Sequence, residues 1–369
     1  MYSLLQVLAF VASLTVCSLA AAVRPLKRDA TFVIPGQTSS SASTVQFAAG
    51  GAFDGPKVAN LNSTTFDLWY FHAFSPDLAF SVTIVFYTAL PGALFPGSID
   101  FGTADYVEIF VTQPTDVDVL AFPADTLTVT TSGDGSSGAF DTGEAGWIGS
   151  SDMSEYTITF NAQDGSLSGT VSLSSVAPAH FPCGPLSSSS SFELSPGLGW
   201  ANAIPDADAT VNLLVLGNPV VFTGIGYHDK NWGNAPWDTL LNSWYWGHAR
   251  LGAYSVVWFD FVETTGAEGV SAFVSQNGQV VAAACSGLQV RPVGGDATYP
   301  PTTQTGTPDG FTLSFDVPGQ GTLEMEVPSG EIILQTVGES TRWIGEFTGT
   351  LAGQSLSGVG LYEQFTFAS

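Results

Sequence analysis

The chain has 369 residues, enough for about two domains of ordinary size. Its 9 Trp, 10 Tyr and 26 Phe exclude a disordered chain, and a charged fraction of only 11% suits an all-β protein whose polarity sits in Ser-, Thr- and Gly-rich turns. Asp and Glu outnumber Lys and Arg by 33 to 8, and the net charge of −25 excludes nucleic acid and anionic membrane surfaces as partners.

The N-terminus reads as a processing segment. Tyr2 to Ala22 is apolar and uncharged and ends in Ala20-Ala21-Ala22, so residues 1–22 are expected to be a cleavable signal peptide. Residues 23–28 end in the dibasic pair Lys27-Arg28 and fit a trimmed pro-segment. Removing residues 1–28 takes away three bases and no acid, leaving a charge of −28. No later apolar run has the length of a membrane span. The mature chain is therefore expected in the secretory pathway or outside the cell, without stable membrane insertion. Cys17 falls in the signal, which leaves Cys183 and Cys285 as a candidate disulfide in an oxidising compartment. Asn62-Ser63-Thr64 is a glycosylation sequon. Residues 29–50 are Ser-, Ala- and Gly-rich and read as a loosely tied lead-in.

From residue 51 onward strand signals dominate. Ser81 to Thr88 and Tyr106 to Thr112 are β-branched and aromatic runs. Tyr156 to Phe160, Phe311 to Phe315 and Leu323 to Val327 alternate apolar with polar, the period of a half-buried strand. Asp164-Gly165 and Asn277-Gly278 are hairpin turns. Ser187 to Ser191 is either a linker or, as the closing strands come after it, a long loop within the first half. No segment of twelve residues carries a helical period.

The strands repeat. Trp69-Tyr70-Phe71-His72-Ala73 has a counterpart in Trp244-Tyr245-Trp246-Gly247-His248-Ala249. Gly224-Ile225-Gly226-Tyr227-His228-Asp229-Lys230 has one in Gly358-Val359-Gly360-Leu361-Tyr362-Glu363-Gln364. Each half opens on an aromatic cluster and closes on Gly-x-Gly and a polar run. The expected architecture is all-β, two similar antiparallel β-barrels in tandem, over residues 29–235 and 236–369.

Gly133-Asp134-Gly135-Ser136-Ser137-Gly138 spells a dinucleotide fingerprint, but no helix pattern comes after it, so it reads as a turn. Four scattered histidines provide no metal set, and neither metal nor cofactor is expected. The 33 acids leave many carboxylate pairs open. Residues 224–233 concentrate chemistry instead. Alternation sends Tyr227 and Asp229 to one face and His228 and Lys230 to the other. These four are the catalytic candidates, with His228 or Lys230 donating a hydrogen bond or proton. The alternative is that His228 and Asp229 only pin the barrel rim.

Five of the nine tryptophans, together with Tyr245, fall in the segment from Trp232 to Trp258. Indole needs a partner for its N–H, so such a density suits either a ligand pocket or an inter-domain core. Trp69, His72, Trp232, Trp244, Trp246 and His248, with Trp343 and Tyr362 from the second half, are the substrate-binding candidates. The expected partner is a hydrophobic small molecule such as a polyene, a terpene or a quinone methide.

These residues resemble the family that joins carotenoid 1,2-hydratases, AttH-like proteins and fungal Diels–Alderases. The family's motif runs roughly G-x-G-Y-H-D-H-N-W-G. Gly224, Gly226, Tyr227, His228, Asp229, Asn231, Trp232 and Gly233 match it, and Lys230 replaces the second His. Trp69-Tyr70-Phe71 matches an early Trp-Tyr-Phe-Asp motif, with His72 in place of Asp, and Trp147-Ile148-Gly149 is also similar. The resemblance implies two lipocalin-like barrels, a hydrophobic pocket, no cofactor, and a Diels–Alder or hetero-Diels–Alder ring closure in fungal secondary metabolism. The signal segment and dibasic site make the chain look similar, within that family, to enzymes that couple tropolone quinone methides to humulene-type terpenes, with dehydration to the quinone methide as an added step. An isoprenoid hydratase or dehydratase and a non-catalytic carrier are the other readings.

Overall fold

The computed structural model describes residues 29–94, 98–187, 190–336 and 339–367. The signal peptide, the dibasic pair and Cys17 lie outside them. Two large antiparallel sheets account for most of the chain. Among the described residues the helix content is one turn, Trp237–Leu240, which lies between the sheets in sequence. The all-β, two-barrel reading holds.

Alternation builds the walls. Tyr156, Ile158 and Phe160 are buried while Thr159 is exposed, and Leu323, Met325 and Val327 are buried between exposed Glu324 and Glu326. Asn277 and Gly278 both take positive φ, as the tight reversal into strand Gln279–Ala284 requires. The Gly133–Gly138 run is a turn entering strand Gly135–Phe140. Residues 29–50 differ from expectation. Strand Ala30–Pro35 pairs in register with Thr126–Ser132, because Thr31-Phe32-Val33-Ile34 is itself a β-branched and aromatic run.

The repeat is visible in the pairing. In the first sheet, strand Asn218–Gly233 pairs with Phe66–Phe74, placing Asp229 opposite Tyr70. In the second, strand Gln354–Thr366 pairs with Leu241–Leu251, placing Glu363 opposite Trp246. Each of these strands is buried on both faces over part of its length, and each shares its side chains between two layers. One face of Phe66–Phe74 sends Trp69, Phe71 and Ala73 into the first barrel's core. The other sends Leu68 and Tyr70 into a middle layer between the sheets, where they meet Tyr227, Trp244 and Trp246. Tyr245, Trp258, Trp343 and Tyr362 fill the second barrel.

Several bonds fix the sheets to one another. Arg250 grips Asp206 and Asp208 across the junction, at 2.7 and 2.8 Å. Ser271 Oγ donates to Pro182 O at 2.6 Å. Beside it, Cys183 and Cys285 form a disulfide with a Cα–Cα distance of 4.8 Å.

Candidate functional site

The middle layer does not fill completely. It leaves a cavity of about 340 Å³ whose walls come from both sheets. Leu68, Tyr70 and Tyr87 line one side, and Trp244, Trp246 and Phe365 line the other, with Trp237 from the connecting turn. Tyr70 and Trp246 meet edge-on at 5.7 Å, and Trp244 stacks on Phe365 at 4.4 Å. Such a space suits an aromatic or polyunsaturated ligand.

Two carboxyl groups enter this aromatic cavity from equivalent positions of the repeat. Asp229 comes from the first sheet and Glu363 from the second. Their surroundings differ. Asp229 is buried, and its Oδ2 accepts from Trp200 Nε1 at 2.7 Å and from Tyr227 Oη at 2.9 Å. Its Oδ1 accepts from Asn231 Nδ2, at 3.0 Å. Burial pushes the Asp229 carboxyl up to about 7, against the pull of the Trp200 and Tyr227 donors. Near neutral pH the group therefore divides between acid and carboxylate, and Oδ1, with one donor against two, is the oxygen with room for the proton. Glu363 instead forms an ion pair with Arg342, whose Nε and Nη2 lie 2.8 and 2.7 Å from Oε2. Trp244 Nε1 donates to Oε1 at 2.9 Å. One carboxyl can give a proton, and the other is held by a fixed cation.

The candidates from residues 224–233 separate as their alternation requires. Tyr227 and Asp229 face the middle layer, while His228, Lys230 and Trp232 face the first barrel's closed core. His228 lies flat on Phe71 at 4.0 Å, with Nδ1 2.9 Å from Tyr70 O and Nε2 3.2 Å from Asp54 Oδ1. Lys230 pairs with Asp67 and sits over the Trp69 ring at 3.4 Å. Trp69 donates to Asp54 O and Trp232 to Gln46 O. His228, Lys230, Trp69 and Trp232 do not border the cavity. Tyr227 stands one layer behind the wall, hydrogen-bonded to Asp229 and packed edge-on against Trp246 at 5.1 Å. His72 and His248 lie in the middle layer, with ring centroids 5.9 Å apart, but also off the cavity wall. Burial holds the His72 imidazole well below its usual range, and His248 falls to about 3. Trp343 and Tyr362 stack on each other at 5.2 Å inside the second barrel. Of the sequence candidates, Asp229, Trp244 and Trp246 are brought together in one cavity.

His228 is thus placed as a core residue. His228→Ala should destabilise the fold by roughly 3 kcal/mol, since it removes a packed ring and leaves Asp54 and a backbone carbonyl underpaired. Urea unfolding measures this, and lost turnover at an unchanged midpoint would instead restore His228 to the chemistry.

Sequence reasoning missed Tyr70, Asn231, Arg342 and Glu363 as cavity residues. Signals for two of them exist. The repeat aligns Glu363 with Asp229. Arg342 is one of only eight Lys and Arg residues and precedes Trp343 in a strand that is buried at this end.

Comparison with known proteins identifies the family and the fold. The model of the Diels-Alderase-like family matches residues 32–292. The quinolone epoxide rearrangement protein penF of Penicillium thymicola is 34% identical, over 85% of this chain and 89% of its own. Its counterpart asqO of Emericella nidulans is 32% identical, over 89% and 91%. The crystal structure of CghA with Sch210972 superposes with a TM-score of 0.72, at 19% identity, over 92% of this chain and 99% of that one, which speaks for the fold alone.

Proposed function

The chain belongs to the Diels-Alderase-like family, and from that premise we propose that it closes a ring in a hydrophobic small molecule folded inside the junction cavity, with Asp229 as acid. The observation that carries this reading is a carboxyl pushed up to about 7 at the wall of an aromatic cavity. Two properties are needed for such a reaction. The reacting ends of the substrate must be held in contact, which flat walls such as Trp244, Trp246 and Tyr70 provide. In favourable intramolecular cases this orientation lowers the barrier by about 7–11 kcal/mol. The substrate's oxygen must also be made electron-poor, which the proton on Asp229 Oδ1 provides.

The relatives named as quinolone epoxide rearrangement proteins favour an epoxide as the activated group. As a C–O bond of the epoxide breaks, its oxygen takes the proton from Asp229. An internal π bond or heteroatom attacks the carbon and closes the ring, and the proton lost in closure returns to the carboxylate. Substrate and product then have the same mass, and no electrons enter or leave. The family description supports a second reading, cycloaddition, including the hetero-Diels–Alder closure suggested by the resemblance. There Asp229 only hydrogen-bonds a carbonyl of the dienophile. The apolar N-terminal run and the disulfide favour a secretory-pathway setting for either reading.

The pH profile tests the role of Asp229. An acid with a raised value is protonated below it, so the single-turnover rate on an aryl-epoxide or polyene substrate should be level below pH 7. Above about 7 it should fall roughly tenfold per unit. A rate that rises through neutrality would assign Asp229 the role of base and reject the reading.

A further inference from the structure

Arg342 is the guanidinium of the cavity wall, and its bonds to protein are unevenly distributed. Trp244 Nε1 occupies Oε1 of Glu363, at 2.9 Å. The arginine's two contacts with this carboxylate, from Nε and Nη2, therefore converge on the other oxygen, Oε2, at 2.8 and 2.7 Å. An unhindered arginine–carboxylate pair would use two oxygens for two nitrogens. Here the third nitrogen, Nη1, has no acceptor among the described residues. Arg342 is 8% exposed and lines the cavity, and its guanidinium carbon lies 5.4 Å from the centre of the Tyr70 ring. Arg342 lines the cavity, so Nη1 is free to donate to an acceptor that enters there.

We propose that Arg342 Nη1 is the oxygen-acceptor subsite of the cavity and selects substrates that carry a neutral carbonyl, a lactam or ketone, beside their reacting carbons. The inference rests on the proposed role of the cavity and adds a substrate class to it. Three features of the site define that class. Glu363 already balances the charge of Arg342, so the free N–H groups act as strong donors without a spare positive charge. Glu108 and Glu339 also border the cavity, and an anionic head group would meet them and Asp229. The Tyr70 ring beside the guanidinium requires the carbonyl to be borne on a flat, conjugated frame. Asp229 and the Arg342–Glu363 pair come from different sheets, so one ligand can meet both. The carbonyl fixed at Arg342 then sets which substrate oxygen reaches Asp229. Arg342 is in this role a specificity-determining residue, and it transfers no proton.

The test uses two probes that differ in one group. trans-Chalcone carries a conjugated ketone, and trans-1,3-diphenylpropene is a similar frame without it. Each is titrated into the full chain while quenching of tryptophan emission is followed, since Trp237, Trp244 and Trp246 line the cavity. Wild type should bind chalcone at least about tenfold more tightly, the scale of one charge-assisted hydrogen bond. Arg342→Met should bring the two affinities within about twofold while leaving that of the hydrocarbon unchanged. Asp229→Asn should keep the wild-type preference. If Arg342→Met fails to fold because Glu363 is left unpaired, the double variant Arg342→Gln/Glu363→Gln gives the same readout with no buried charge. Equal binding of both probes by wild type, or a preference that survives loss of the guanidinium, overturns the proposal. A preference lost in Asp229→Asn alone also overturns it, while leaving the cavity's role intact. Failure of both probes to bind wild type refutes the cavity's role and this inference together.

Discussion

Asp229→Asn should lower the single-turnover rate by about 10²–10⁴-fold, the range typical of a general acid, and should abolish the fall in rate above neutral pH. The substitution keeps the shape of the side chain. Its Oδ1 can still accept from Trp200 Nε1 and Tyr227 Oη, so the wall position is retained. The amide has no dissociable proton to give, so only a hydrogen bond remains for the substrate. If the reaction needs no more than that, as a cycloaddition would, the loss should stay within about tenfold. The size of the loss thus separates epoxide opening from cycloaddition.

The same variant carries a stability signature with a definite sign. The native carboxyl at about 7 lies above its ordinary value of 3.8, so the folded state binds the proton more tightly than the unfolded one. That contribution is fully present at low pH and is lost as pH rises through about 7. Asn titrates nowhere, so wild type should lose stability relative to the variant between pH 5 and pH 8. The change should be on the order of a few kcal/mol. Melting temperatures of the two proteins at both pH values measure it. A constant difference would mean that Asp229 is already ionised throughout, which would remove it as the acid.

Replacing both cysteines, Cys183→Ser with Cys285→Ser, should cost about 2–5 kcal/mol of stability. The bond spans 102 residues of sequence, and closing a loop of that length removes much of the unfolded chain's freedom. It also ties a hairpin of the first sheet to the end of strand Gln279–Ala284 in the second, near the Ser271–Pro182 contact. Neither cysteine borders the cavity, so turnover at low temperature should stay within about twofold of wild type. Thermal melts with and without a reductant provide the measurement. Equal melting temperatures in the two conditions would show that the Arg250 clamp and the packed middle layer hold the sheets unaided.

The fold is largely legible in the sequence because its signals are local. Alternation in Tyr156–Phe160 and Leu323–Val327 states which side chains go inward, and the Asn-Gly pair at 277–278 states where the chain reverses. The site is legible only in part. Asp229, Trp244 and Trp246 stand out in the sequence, and the structure brings them to one cavity. His228 and Lys230 attract the chemistry because His and Lys are conspicuous, although the same alternation turns them away from Asp229. Two-sided burial is the reason the pattern does not tell which of these residues border the cavity. On a strand with one wet face the polar residues mark the solvent side, whereas Phe66–Phe74 and Asn218–Gly233 have a packed layer on each face.

The sequence alone determined an all-β chain of two related halves, the pairing of Asp229 with Glu363 across the repeat, and a density of aromatic rings near the junction. These follow from periodicity and composition, which act within a strand or between copies of one pattern. Only the tertiary structure decided which face of each strand borders empty space and which carboxyl a cation would neutralise. Arg342 and Glu363 are 21 residues apart and Tyr70 and Asp229 are far apart in sequence, yet strand pairing and sheet packing bring them to one wall. Burial and charge pairing act through space, so the raised carboxyl of Asp229 and the Arg342 guanidinium at the cavity wall come about only once the two sheets have closed on each other.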